Sequence, residues 1–232
     1  RAGTGLLQRA TNIVSGALQV GAGGTSGTLG SGAVVDNATL IVNRTDAVTI
    51  ANAISGSGVV SIQGSGVTTL TGVNTFSGGT VVGVGATLSI PSSAALGSGA
   101  LALVGGATVP ASLKVTGTTV IANPISVAGD PVFDVAPGAT ATIASPITNG
   151  AAPGDVVVQG GGVLEMTAVN SYSGPTTVAA GSTLALRGSA SIASSSSVAN
   201  NGALDLRALT GGATLGGGYA QSSTGTLYMR MM

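Results

Sequence analysis

The chain has no cysteine, no histidine and no tryptophan, and its 232 residues include only two phenylalanines and three tyrosines. Without His or Cys, neither a Ser-His-Asp nor a Cys-His nucleophile can be assembled from these residues. The nitrogen and sulfur ligands that zinc prefers are missing too. Cysteine-free chains are common among bacterial exported proteins, though not confined to them. Charge is scarce: 6% of residues carry it, seven basic and seven acidic, for a net of zero; about a quarter is usual. No basic patch is available to neutralise phosphates, so no nucleic-acid partner is expected. From Ala47 to Leu113 no residue is charged. Gly, Ser, Thr and Asn nevertheless interrupt that stretch every few positions, and no run of about 18 apolar residues forms a membrane span. Five aromatics cannot supply the two girdles of a transmembrane barrel. No signal peptide precedes Arg1, as expected of a processed protein or an internal fragment.

What fills the chain is glycine, 40 residues of it, with small and β-branched residues. A Gly/Ser-rich chain can be disordered, but disorder requires low hydrophobicity, and 44% of this one is hydrophobic. With so few large side chains it cannot fill a wide core at normal density. A thin architecture, one or two small side chains across, is the consistent alternative.

Self-similarity points the same way. Residues 74–90, NTFSGGTVVGVGATLSI, align without a gap on residues 170–186, NSYSGPTTVAAGSTLAL, and a partial copy, TNIVSGALQV, occupies residues 11–20. The full copies lie 96 residues apart, and Gly16 precedes Gly85 by 69. Both offsets approach multiples of about 23–24, the length of one turn of a three-sided β-helix. Within and between the copies an aliphatic–any–aliphatic triplet recurs: Leu88-Ser89-Ile90, Leu101-Ala102-Leu103, Leu113-Lys114-Val115, Leu164-Glu165-Met166, Leu184-Ala185-Leu186. This period-2 alternation marks a strand buried on one face. Glycine-rich bends follow the triplets and leave no room for crossover helices. The expected fold is therefore all-β: a parallel β-helix (β-solenoid) of roughly ten coils, spanning 1–232 as a single segment.

The acidic residues are the first place to look for chemistry. Asp134, Glu165 and Asp205 sit in the middle of triplets, where they are expected to face solvent. Asp36, Asp46, Asp130 and Asp155 lie in or beside turn sequences, where Asp bonds its own backbone. A glycoside hydrolase needs two carboxylates about 5–10 Å apart; Asp130 and Asp134 are the candidate pair, outweighed by the solvated-turn reading. The G-x-S-x-G elbow and S-x-x-K are absent, as is the calcium-binding G-G-x-G-x-D nonapeptide. Gly56-Ser57-Gly58 is not followed by a lysine and reads as a turn. The glycosylation sequons at Asn37 and Asn43 are expected by chance. Flat threonine arrays bind ice on some solenoids, but Thr118-Thr119 and Thr176-Thr177 do not recur at one position per coil. No catalytic, metal or cofactor residue is assigned, and no enzyme activity is expected.

The segments from Asn74 to Leu88 and from Asn170 to Leu184 closely resemble the passenger-associated transport repeat of bacterial autotransporters, the type V secretion systems. That resemblance implies a right-handed β-helix passenger, exported through the periplasm and an outer-membrane β-barrel translocator to the cell surface. It implies a stalk or adhesin role, associated with virulence in that family, and repeats that aid export and folding. Lack of cysteine avoids disulfides that would block passage. The implied partners are a receptor or glycan on a host or neighbouring cell, or a second copy of the chain. Neither end resembles a capping coil, so an excerpt of a longer passenger is expected. The competing function is a β-helix polysaccharide lyase or hydrolase; ice binding is a minor one.

Overall fold

The computed structural model describes residues 10–230; the signal-peptide expectation at Arg1 lies outside them. The triplets wind this chain. Alternate residues of a strand point to opposite faces, so each triplet can send both aliphatics inward. Leu88 and Ile90, Leu101 and Leu103, Leu113 and Val115, and Leu164 and Met166 are all buried. Phe133 and Val135 flank Asp134 in the same way. The short strands then end in bends, and the chain passes to the next side rather than doubling back.

Three sides result, built of parallel strands. The first side has seven strands, from Ala17–Gly24 to Ile147–Gly154. The second has nine, from Val48–Ile50 to Gly218–Gln221. The third is split. Three strands, Thr11–Ile13, Val34–Asp36 and Ile54–Ser55, form its early part, and six from Thr119–Ile121 to Thr226–Tyr228 its later part. Between them run the extended residues 74–77 and a single 3-10 turn, Ser93–Leu96. No α-helix occurs among the described residues. The result is the expected β-solenoid of about ten turns. Nine strands at about 4.8 Å make the second side roughly 40 Å tall.

Like stacks on like inside. Leu88, Leu113, Phe133, Val158 and Val178 are successive register partners on the second side, and none is accessible to solvent. Each such side chain contributes about 1.5–3 kcal/mol through burial. The coils vary in length: the turn that carries Val132 to its partner Val157 is longer than the one that carries Thr39 to Val59.

That variation corrects the expected spacing of the repeats. Ladder partners from Thr80 run through Leu101, Ile125 and Ile147, and Ser171 donates its N–H to Ile147 O. Four coils after Thr80 the chain has thus reached the neighbourhood of Asn170, not Thr176. The offset between the copies is four coils plus one side. In the first copy Thr80–Val82 lies on the first side and Thr87–Ile90 on the second; in the other copy Thr176–Val178 lies on the second and Thr183–Gly188 on the third. The same short module is turned one side forward. Gly85 and Gly181 keep equivalent roles, with φ of 76° and 79° at the corner between their two strands. A left-handed conformation of this kind favours glycine.

The two copies differ in one buried polar detail. Tyr172 and Thr176 hydroxyls lie 2.7 Å apart, and Thr176 Oγ1 lies 2.9 Å from Ser195 Oγ. Phe76 replaces the tyrosine in the first copy, and Thr80 Oγ1 is buried without a partner. A buried hydroxyl lacking a bond costs about 1–3 kcal/mol. Thr80→Val is therefore expected to leave stability unchanged or raise it, whereas Thr176→Val, which strands the buried Tyr172 hydroxyl, lowers it by about 1–3 kcal/mol. Urea unfolding of both variants measures the difference; equal losses at the two positions would refute the assignment.

Candidate functional site

Three constructions carry the polar chemistry of the molecule. The first is an asparagine clamp at the head of each full repeat. Ile54 and Ile147 open strands, so their N–H groups need a partner from outside the regular ladder. Asn74 Oδ1 accepts from Ile54 N–H at 2.8 Å, and Asn170 Oδ1 from Ile147 N–H at 2.9 Å. The side-chain amides donate in the opposite direction, Asn74 to Ala95 O at 2.7 Å and Asn170 to Ser191 O at 3.0 Å. Both asparagines are buried. Each fastens its own coil to the one before and the one after.

The second is a charged ladder on the outward face of the third side. Thr142, Glu165, Ala185, Asp205 and Tyr228 are successive register partners there. Arg187 reaches Glu165 with Nε at 3.2 Å and Asp205 with Nη2 at 2.9 Å, so it spans the strand that carries Ala185. Arg207 grips Asp205 through Nε at 2.9 Å and through its own backbone N–H at 3.1 Å. The Arg207 guanidinium then lies 4.6 Å above the Tyr228 ring, a cation–π arrangement. Hydrogen bonding from Arg207, aided by Arg187, holds the Asp205 carboxyl far below the usual carboxylate range despite its burial.

The third is an acidic corner between the first and second sides. Gly129 pairs with Gly154, and Asp155 N–H donates to Gly129 O at 2.9 Å, which puts Asp130 and Asp155 one above the other. Burial first, then the Asp130 carboxyl through repulsion and a hydrogen bond, pushes Asp155 up to about 6. Gly174 on the next coil makes the space: a Cβ there would lie 2.2 Å from Asp155 Oδ1.

Several acidic residues depart from their expected places. Asp205 faces outward but is 5% exposed, because two arginines close over it. Asp36 ends a strand and is wholly buried. Its Oδ1 accepts from Ala38 N–H at 3.0 Å, Oδ2 has no partner, and burial raises its pKa. Asp130 and Asp134 take different partners: Asp134 faces Lys114 at 4.0 Å, and Asp130 faces Asp155. Asp46 stays at a turn, held by Arg44 at 2.8 Å, and Glu165 is half-buried. Sequence reasoning passed over Arg187 and Arg207. The signal for Arg187 was its spacing, since Glu165 precedes it and Asp205 follows it at close to one coil each way. Among the described residues no group of three or more potential ligands could hold a metal ion, and no helix is long and apolar enough to cross a membrane.

The passenger-associated-transport-repeat model matches residues 63–90 and 156–191. Each match contains one clamp asparagine and the two strands that follow it. No curated protein and no solved structure matches the chain. Two such repeats on a β-solenoid are consistent with the passenger domain of an autotransporter. Repeats of this family go with secretion to the cell surface.

The charged ladder predicts an acid limit. Asp205 is ionised in the folded chain at pH values where the unfolded carboxylate, near 3.8, takes up a proton. Its contribution is complete above that value, declines as pH falls below it, and is lost only as pH approaches the much lower value of the folded carboxyl. Asp205→Asn is expected to cost about 1–3 kcal/mol at pH 7 and distinctly less at about pH 2. Chemical denaturation at the two pH values tests this, and an equal loss at both would contradict it.

Proposed function

We propose that this chain is an exported passenger segment that serves as a surface stalk and adhesion module and assists its own export and folding. The observation that carries the reading is the asparagine clamp within both family-matched regions. A stacked solenoid has only nearest-neighbour contacts, so it can fold coil by coil as it leaves a translocator. A clamp that bonds the coil before and the coil after suits that task, because it secures each new coil before the next arrives. The outward faces suit adhesion. They are long, regular and sparsely charged, and the charged ladder offers exposed Arg207 and Tyr228 at one end. The partners we propose are an outer-membrane β-barrel during export and, afterwards, a receptor or glycan on another cell or a second copy of the chain.

A structural role also fits the chemistry of the acidic residues. Asp46, Asp134, Glu165 and Asp205 are each spoken for by a cation, which leaves no free carboxylate among them to act as acid or base. Asn170→Ala in the producing bacterium is expected to lower the amount of chain reached by protease on intact cells severalfold, with synthesis unchanged. Beads coated with the chain are expected to bind cells or glycan arrays. Unchanged surface display in the variant would remove the export role, and chain retained inside the cell would remove the whole reading. Release of sugars from a polysaccharide, lost in Asp155→Asn, would replace it with an enzyme.

A further inference from the structure

The corner formed by Asp130 and Asp155 is built unlike any other acidic position described here. The two residues follow Gly129 and Gly154, which are ladder partners, so the backbone register sets one directly above the other. Both are half-buried. Above them the coil at Gly174 presses close enough that a Cβ would meet Asp155 Oδ1. Below, a Cβ on Gly105 would fall within 3.0 Å of the Asp130 backbone. The carboxyls cannot move apart along the solenoid axis without parting the coils.

Among the described residues no counter-charge relieves them. The strands of the first side at this level, Leu101–Val104, Ile125–Gly129 and Ile147–Gly154, contain no charged residue. Neither do Val156–Gln159 and Thr176–Val178 on the second side. The charged groups on the remaining strands packed here are Lys114 on Ser112–Val115 and Asp134 on Val132–Val135, and these face each other.

The corner also anchors a weak segment. The ladder between Ile125–Gly129 and Ile147–Gly154 breaks its register after Val127, and residues 150–153 loop outward, exposed. The loop is tied at one end through Asn149, whose Oδ1 accepts from Gly154 N–H at 3.2 Å and Ser173 N–H at 3.0 Å, and whose Nδ2 donates to Ser173 Oγ at 2.8 Å. Its other tie is the Asp155 N–H bond to Gly129 O.

We propose that the Asp130–Asp155 pair is a pH-operated latch: a proton held between the carboxyls keeps the corner closed, and its loss loosens the coil and frees the 149–155 segment. The sign follows from the raised pKa of Asp155, pushed to about 6 from 3.8. The closed form keeps its proton after an opened corner would have lost it. Closure is therefore fully favoured below about pH 4 and weakens as pH rises through 6. Two pKa units would correspond to about a hundredfold change in opening; partial exposure reduces this to about tenfold.

Hydrogen exchange of the 149–156 amides, corrected for intrinsic rates, reads this directly in the whole chain between pH 4.5 and 7.5. Wild type and Asp134→Asn are expected to lose about tenfold protection across that range. Asp155→Asn, which removes the titrating group, is expected to show a flat profile. Asp130→Asn removes the repulsion but leaves Asp155 buried, so its pH-dependent loss is expected to be smaller than in wild type. Should Asp155→Asn fail to fold, Asp130→Asn still decides. A flat profile in wild type, a pH-dependent loss in folded Asp155→Asn, or a loss in folded Asp130→Asn equal to that of wild type would overturn the latch.

Discussion

Each strand in this solenoid completes its hydrogen bonds with the coil on either side, and almost nothing is completed within a coil. That constraint forces register. A residue's environment is set by what stands one coil before and one coil after it, so side chains must be compatible in columns rather than in sequence. The interior column from Leu88 to Val178 shows the result for apolar groups. Five aliphatic or aromatic residues fill one slot at five levels, and the width of that slot, not the size of a domain core, decides which side chains the chain can use.

Polar groups obey the same rule. Wherever a strand starts or a side is interrupted, a backbone N–H loses its neighbour, and buried backbone groups are rarely left unpaired. Asn74 and Asn170 repair that loss at two levels of the stack, and Asn123 does related work by donating to Gly97 O and Gly99 O. Charges behave as columns too. Glu165, Arg187 and Asp205 alternate in sign from coil to coil and become a ladder, whereas Asp130 and Asp155 repeat the sign and become a point of stress. One geometry thus makes a brace in the first case and a latch in the second.

The fold could be read from the chain because its signal is local. Leu88-Ser89-Ile90 states which residues go inside without reference to anything else. The polar constructions could not be read in that way, because they exist only between coils of unequal length. Coils of uniform length would have placed Asp130 and Asp155 in one column at sight. The coil from Val132 to Val157 is longer than the coil from Thr39 to Val59, and such differences hide the pairing until the register is known. Asp205 misled for a related reason. Its triplet correctly turns it outward, but burial comes from one arginine on the coil before and another just after it in the same strand. Gly174 carries no local signal at all; its missing side chain is the space in which a carboxyl one coil earlier lies.

Unequal coils have a further consequence for the repeat itself. A module tied to one side of the solenoid would have to recur at whole numbers of coils, and any insertion between copies would put it out of place. Here the second copy is turned one side forward and still makes the same clamp, with the same two backbone bonds around its asparagine. The clamp needs only a strand start below it and a coil above it, which any of the three sides can provide. Loops can then lengthen or shorten between repeats while the stacking contacts survive. A surface protein gains from that freedom: its exposed loops can change while the scaffold holding them keeps its hydrogen bonds. The Asn149–Gly154 loop, set into the ladder by a register break and closed at Asp155, is an instance already present in this chain.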